Sequence, residues 1–264
     1  MFIRANKKGF NLIELLVVIF VIALLMGLLA PALSSSRSGA KEIVCRNNLR
    51  QLIIANNGYA GDNGGNYVPG EPDVFSTNKR KWYGVRESTA EKFDHKKGPL
   101  ASYVQGSRLV CPQAASVREI SPLDWQYDSG SGGYGYNVMY IGSTMWIKGL
   151  EDEFARESAK TGGVRKPGQT VMFADTVMAR FDATGSYYIE YSVAEARYFV
   201  IMGQIETIQD PAPSIHFRHK GKAQIGWADG HAGAEVMART KEKTSEKADV
   251  GWFAPLDNSL FDLN

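Results

Sequence analysis

The chain is poor in the residues that most directly announce chemistry. Among 264 residues there are two cysteines, Cys45 and Cys111, and four histidines. Two thiols make neither a disulfide scaffold nor a zinc site. Outside the cytoplasm they can form one bridge and elsewhere they stay free thiols, and their spacing does not decide between the two. The net charge is only +2, and no basic stripe is interleaved with aromatics, so a nucleic-acid partner is not expected. A Ser/His/Asp order, a phosphate-cradling glycine loop and paired acid/base carboxylates are all missing, which leaves an enzyme without a catalytic group to name. Internal repeats and low-complexity blocks are missing too.

What the sequence does have is a strong asymmetry. Arg4, Lys7 and Lys8 place three positive charges in the first nine residues, and the rest of the chain is −1 without them. Leu15 to Ala30 then runs for sixteen residues without a polar side chain, and Leu12 to Leu33 is broken only by Glu14 and Pro31. As a helix, that stretch spans ~33 Å, enough for a bilayer core. Cations precede the run more densely than they follow it, which favours a cytoplasmic N-terminus and a head on the other side. A secretory signal with Ala30-Pro31-Ala32 as its cleavage site fits the flanks but not the length. A plain anchor fits the length and leaves Glu14, a costly carboxylate in lipid, without a role.

Beyond a small-residue patch at Ser34–Ala40, the residues Val44, Cys45, Leu49, Leu52 and Ile53 recur at helical spacing. They predict an amphipathic continuation of the helix, ending at Asn56-Asn57-Gly58. "GDNGGNYVPG" (Gly61 to Gly70) reads as a turn-rich loop, with calcium ligation as its alternative. "GSGGYGYN" (Gly130 to Asn137) reads as a tight turn buttressed by aromatics or a binding loop. "QTVMFAD" (Gln169 to Asp175), "YYIEYSV" (Tyr187 to Val193) and "RYFVIMG" (Arg197 to Gly203) predict strands. A hairpin is expected to turn at Lys220-Gly221, with a second turn at Asp229-Gly230. The aromatics of the C-terminal "GWFAPLDNSLFDLN" predict that the tail docks back on the domain.

"KKGFNLIELLVVIFVIALLMGLLAPAL" (Lys7 to Leu33) resembles the class III signal of type IV prepilins and type II secretion pseudopilins. In that family a basic leader ends in Gly, then come Phe and an apolar helix with Glu at the fifth mature position. Lys7, Lys8, Gly9, Phe10 and Glu14 match this pattern, and Asn11 stands in place of the usual Thr. The resemblance implies cleavage between Gly9 and Phe10 by a prepilin peptidase and N-methylation of Phe10. It also implies assembly with homologous subunits on an inner-membrane platform. In such an assembly Glu14 would pair with the Phe10 ammonium of a neighbour and set axial register, whereas outside it the carboxylate is only a penalty. A second resemblance is to the H-X9-DG motif of bacterial prepilin-like proteins. It rests on His219 to Asp229-Gly230, with "CRNNLRQL" (Cys45 to Leu52), Cys111-Pro112 and "YGYN" (Tyr134 to Asn137) as accompanying elements.

Together these readings predict an α+β, pilin-like fold. A long N-terminal helix, its first half spanning the membrane, packs on a head with an antiparallel β-sheet. Residues 1–9 would be leader, 10–33 the transmembrane and filament-core helix, and 34–58 its amphipathic continuation. Residues 59–264 would form the extracytoplasmic head, with the H-X9-DG region at 214–236. The expected function is structural: a pilin or pseudopilin, in the inner membrane and then in a periplasmic or surface filament. The alternative is a membrane-anchored binding module that takes a ligand or divalent metal where His219, Asp229 and His231 converge at one end of the hairpin. No cofactor is otherwise expected.

Overall fold

The computed structural model describes residues 11–114, 130–182, 185–201, 204–206, 213–238 and 249–264. The chain divides into two units, residues 1–40 and residues 41–264. Helix α1 runs over Leu12–Asp62. Among the described residues twelve strands follow in chain order: β1 Arg80–Lys81, β2 Gly84–Val85, β3 Tyr134–Tyr136, β4 Val171–Asp175, β5 Met178–Asp182 and β6 Gly185–Ile189, then β7 Phe199–Ile201, β8 Gln204–Glu206, β9 Ile215–His216, β10 Lys222–Trp227, β11 Ala232–Val236 and β12 Val250–Gly251. Two short helices, α2 (Met145–Lys148) and α3 (Asp152–Arg156), lie between β3 and β4. The architecture is α+β and pilin-like: a long N-terminal helix, then a head built on antiparallel sheets.

In the first unit every large apolar side chain from Leu12 to Leu33 is exposed. Leu, Ile, Val, Phe and Met cover all sides of this stretch, so no polar face competes for water. A helix of this kind is stable in a bilayer or among other helices. It is long and apolar enough to cross a membrane. Pro31 lies inside it and removes one backbone hydrogen bond without ending it.

In the second unit the same helix becomes amphipathic. Cys45, Asn48, Leu49, Leu52, Ile53, Asn56 and Ala60 are buried, a stripe at three- and four-residue intervals. Val44, expected on that stripe, is exposed instead. The helix also passes Asn56-Asn57-Gly58 and ends at Asp62, so its end corrects the expected cap. Tyr103 supplies the reason. Its ring sits 3.0 Å from where a Cβ on Gly58 would stand, and its hydroxyl donates to Asp62 at 2.7 Å. A tertiary contact thus carries the helix one turn further, to a stop at Gly64 and Gly65, both at positive φ. Asn63 and Asn66 donate to local carbonyls there, as turn residues do.

The central sheet has the order β11-β10-β4-β3, all pairs antiparallel. Strand β4 is buried at all five positions, which accounts for the unalternating sequence "VMFAD". Leu49 and Ile53 of α1 lie directly on β10. A Cβ on Gly226 would stand 2.8 Å from Ile53 Cδ1, so the glycine sets how closely helix and strand approach. Around this contact Tyr136 stacks on Phe173 at 4.8 Å and Trp82 packs on Phe173 at 5.1 Å. The segment Gly130 to Asn137, expected as a tight turn buttressed by aromatics or a binding loop, is a turn over residues 130–133, with Gly130, Gly132 and Gly133 at positive φ, and then the edge strand β3, with Tyr134 and Tyr136 fully buried.

The remaining differences have local causes. "YYIEYSV" divides in two: its first part pairs with β5 as β6, whereas Ser192 and Ala194 bond to the backbone of Tyr136. "RYFVIMG" contributes only β7, paired with β8. Lys220-Gly221 does form a two-residue turn, with His219 and Lys222 exchanging both backbone hydrogen bonds at 2.9 and 3.1 Å. The long hairpin around it does not form, because β9 pairs with β12 rather than β10. The C-terminal tail docks: Phe253 and Phe261 are buried. Asn137 clasps the tail, donating to the carbonyls of Phe261 and Val171 at 2.8 and 2.9 Å.

Candidate functional site

At the start of the first unit, Glu14 has a partner within its own chain. Its carboxylate accepts the Asn11 backbone N–H at 3.0 Å, while the Asn11 side chain accepts the N–H of Ile13 at 3.3 Å. Asn and Glu three residues apart form a reciprocal capping box, and a negative charge at a helix N-terminus also suits the helix dipole. This corrects the expectation that Glu14 is only a penalty outside an assembly. The Asn11 that departs from the usual Thr is the residue that makes the box. Gly9 and Phe10, the expected cleavage point, lie outside the described residues.

In the second unit the chemistry gathers around Asp175, the last residue of β4, which is fully buried. One carboxylate oxygen lies 3.1 Å from Arg218 Nη2. The other accepts from His219 Nε2 at 3.0 Å and from the backbone N–H of Gln224 at 2.8 Å. Burial alone pushes this carboxyl up, but Arg218, His219 and the Gln224 N–H together hold it below the usual carboxylate range. Its neighbour His216 responds the other way. Burial, then repulsion from Arg218 and His219, lowers its imidazole to about 3 against a weaker opposing pull from Asp175.

Cys45 and Cys111 are joined in a disulfide with Cα atoms 5.0 Å apart, both buried. The bridge ties α1 to the segment before Pro112. His219 Nε2 lies 3.7 Å from Cys111 Sγ. Cys45, Cys111 and His219 are the one group of three candidate metal-ligating atoms among the described residues. With the sulfurs bonded to each other no thiolate is present to hold an ion, and the His219 nitrogen is committed to Asp175.

His219, Asp229 and His231 do not converge, which corrects the expected cluster. His219 precedes β10, whereas Asp229 and His231 follow it. The strand between them is six residues long, about 20 Å. At the far end, Asp229 accepts the His231 N–H at 3.0 Å and contacts its Nδ1 at 2.6 Å, and the exposed His231 ring stacks on Trp227. This is turn capping rather than a ligand set.

A family model described as "Prokaryotic N-terminal methylation motif" matches residues 4–30. The chain carries a type IV prepilin-like class III signal. No curated protein and no solved structure matches the chain. The motif spans the basic flank, Gly9, Phe10, Glu14 and most of the apolar run. The match supports a precursor of the pilin or pseudopilin type, and α1 is long and apolar enough to anchor it in a membrane.

Sequence reasoning missed Asp175, Arg218 and the capping role of Asn11. The Asn11-x-x-Glu14 spacing was a usable signal for the box. Asp175 gave a weaker one, as a carboxylate closing an otherwise apolar strand.

Two consequences are measurable on the full chain in detergent. The disulfide joins residues 66 apart, and the chain-entropy relation gives such a loop about 4 kcal/mol. Replacing both Cys45 and Cys111 by alanine should lower the unfolding free energy in urea by ~2–4 kcal/mol, and an unchanged midpoint would contradict the staple. The second concerns pH. Below pH 6.5 an unfolded chain protonates His216, whereas the folded chain does not until about pH 3. Acid therefore favours unfolding across that window, by about 1.4 kcal/mol per pH unit. Urea midpoints measured from pH 7 to 4 should fall with this slope, and His216→Gln should remove about one proton's worth of it. The contribution of Asp175 has the same sign, since its folded-state value is depressed, but it is lost only below the ordinary aspartate range.

Proposed function

We propose that the mature protein is a structural subunit, a pilin or pseudopilin, of a type IV pilus or a type II secretion pseudopilus. The observation that carries this reading is the methylation motif at residues 4–30, which takes in most of an apolar helical run that buries none of its large side chains from Leu12 to Leu33. An inner-membrane prepilin peptidase removes residues 1–9 and methylates the amine of Phe10. Residues 10–33 then pass from the bilayer into a bundle of identical helices on an assembly platform. Both are apolar surroundings, so the move costs little hydrophobic free energy, and close packing among helices drives it. The head stays on the extracytoplasmic side, where an oxidising environment suits the Cys45–Cys111 bridge.

Glu14 has two successive roles in this account. In the lone subunit its carboxylate caps its own helix through Asn11. In the filament it turns to the Phe10 ammonium of a neighbour, a pair in which both partners are charged and which in a dry core outweighs the carboxylate–amide cap. Because it holds a partner in both states, the carboxylate is never left bare in lipid.

Mass spectrometry of the mature protein should find an N-terminus at methylated Phe10. A start at Leu33 would show an ordinary secreted protein instead. Glu14→Ala should leave membrane insertion intact, as assayed by fractionation, and impair incorporation into filaments. Filaments of normal yield from that variant would overturn the register role.

A further inference from the structure

The second unit has an open cavity of about 400 Å³, lined by Lys41, Gln113, Tyr188, His216, Arg218 and Asp249 among others. None of the expected site residues lines it. Its distinguishing property is a surplus of donors. The Arg218 side chain is only 4% exposed, and its Nη2 serves the Gly133 carbonyl and Asp175. Among the described residues its buried Nε and Nη1 have no acceptor, and the buried His216 Nδ1 has no hydrogen-bond partner. A guanidinium keeps its proton at any relevant pH, so it cannot remove the deficit by becoming neutral. Buried polar groups in folded proteins nearly always find partners. Two neighbouring side chains that line one cavity and share this deficit point to an acceptor entering from it.

We propose that this cavity binds a small monoanionic carboxylate, with Arg218 and His216 donating to its oxygens and Lys41 supplying positive charge at the mouth. The His216 ring is held against Tyr188, with centroids 5.0 Å apart. It is neutral at pH 7, so it contributes a hydrogen bond and no charge. The remaining charges set the valence of the ligand. Asp175 already offsets part of the Arg218 charge from behind, and Asp249 adds a carboxylate at the rim. Arg218 and Lys41 are matched by Asp175 and Asp249, so no surplus of positive charge is present to hold a dianion such as phosphate, whereas a single carboxylate answers the unused donors with less repulsion. Arg218 is thus held by one carboxylate, Asp175, and keeps two donors for another acceptor.

The test titrates the full chain in detergent at pH 7 with acetate, read by saturation-transfer NMR on its methyl signal, and with inorganic phosphate, read by its displacement of bound acetate. Wild type should bind acetate saturably and more tightly than phosphate. His216→Phe keeps a ring against Tyr188 but removes the donor, and should weaken acetate binding at least ~5-fold. Asp249→Asn, at an exposed rim position, should tighten it. Unfolding midpoints of both variants show that the fold is kept. The proposal is overturned by no saturable acetate binding up to ~0.1 M, by phosphate binding more tightly than acetate, or by a folded His216→Phe that binds acetate as wild type does.

Discussion

One buried carboxylate holds the second unit together. Asp175 accepts from Arg218, His219 and the Gln224 backbone, so a single charge links the end of β4, the turn before β10 and the first residues of β10 itself. The linkage reaches the helix through Gln224, whose side chain accepts from Arg46 and donates to Glu42. The disulfide lies beside it, 3.7 Å from His219. A fully buried charge is tolerable only if each lone pair finds a donor, and here the donors come from both sides of the Lys220-Gly221 turn, far in sequence from Asp175 itself. They can be assembled only when the sheet, the turn and the β10 register are all correct. The carboxylate therefore stabilises less than it specifies: its removal would leave a buried arginine without its counterion, and any mispairing of β10 would leave the carboxylate bare.

The helix shows how one secondary structure serves two surroundings by composition alone. From Leu15 to Leu33 it is apolar on every face and buries no large side chain within its own chain. From Cys45 onward only one stripe is apolar, and that stripe meets β10 at Gly226. The two polar residues on the buried stripe, Asn48 and Asn56, are both satisfied. Asn48 donates to Tyr134 and to the Val110 carbonyl, and Asn56 accepts from Val68. They pin α1 to the segments on either side of the disulfide and to the start of the head. Packing supplies the area, and these bonds supply the register.

How much of this could be read from the sequence follows from the range of each interaction. The apolar run, the amphipathic continuation, β4 and the turns at Lys220-Gly221 and Asp229-Gly230 are encoded by neighbours a few positions apart, and all were legible. The end of α1 was misjudged because Tyr103, forty-odd residues on, overrides a good local cap at Gly58. The break in "YYIEYSV" was invisible because its second half answers to Tyr136, not to its own β propensity. The Asp175 cluster lay furthest from view: Arg218, His219 and Gln224 are 43 to 49 residues away from it, and no period or motif connects them. Glu14 was seen for its charge and not for its cap, although Asn11-x-x-Glu14 is a local pattern.

The spacing between His219 and Asp229 is best understood as a measure of a strand. Nine intervening residues hold the Lys220-Gly221 turn, all six residues of β10, and Ala228. Each end is then fixed by a different contact. His219 is held by Asp175, while the Asp229 backbone donates to Pro167 at 3.1 Å and its side chain sits 3.1 Å from the position of a Cβ on Gly168. Side chains alternate along a strand with period two, so one residue more or fewer would turn every β10 side chain to the opposite face. Gly226 would then leave the helix contact and Gln224 would lose Arg46 and Glu42. Two histidines and an aspartate at such a spacing look like a ligand set only while the chain between them is imagined to fold back. Once it is extended, the same spacing reads as a ruler: two pins, with the strand that carries the helix stretched between them.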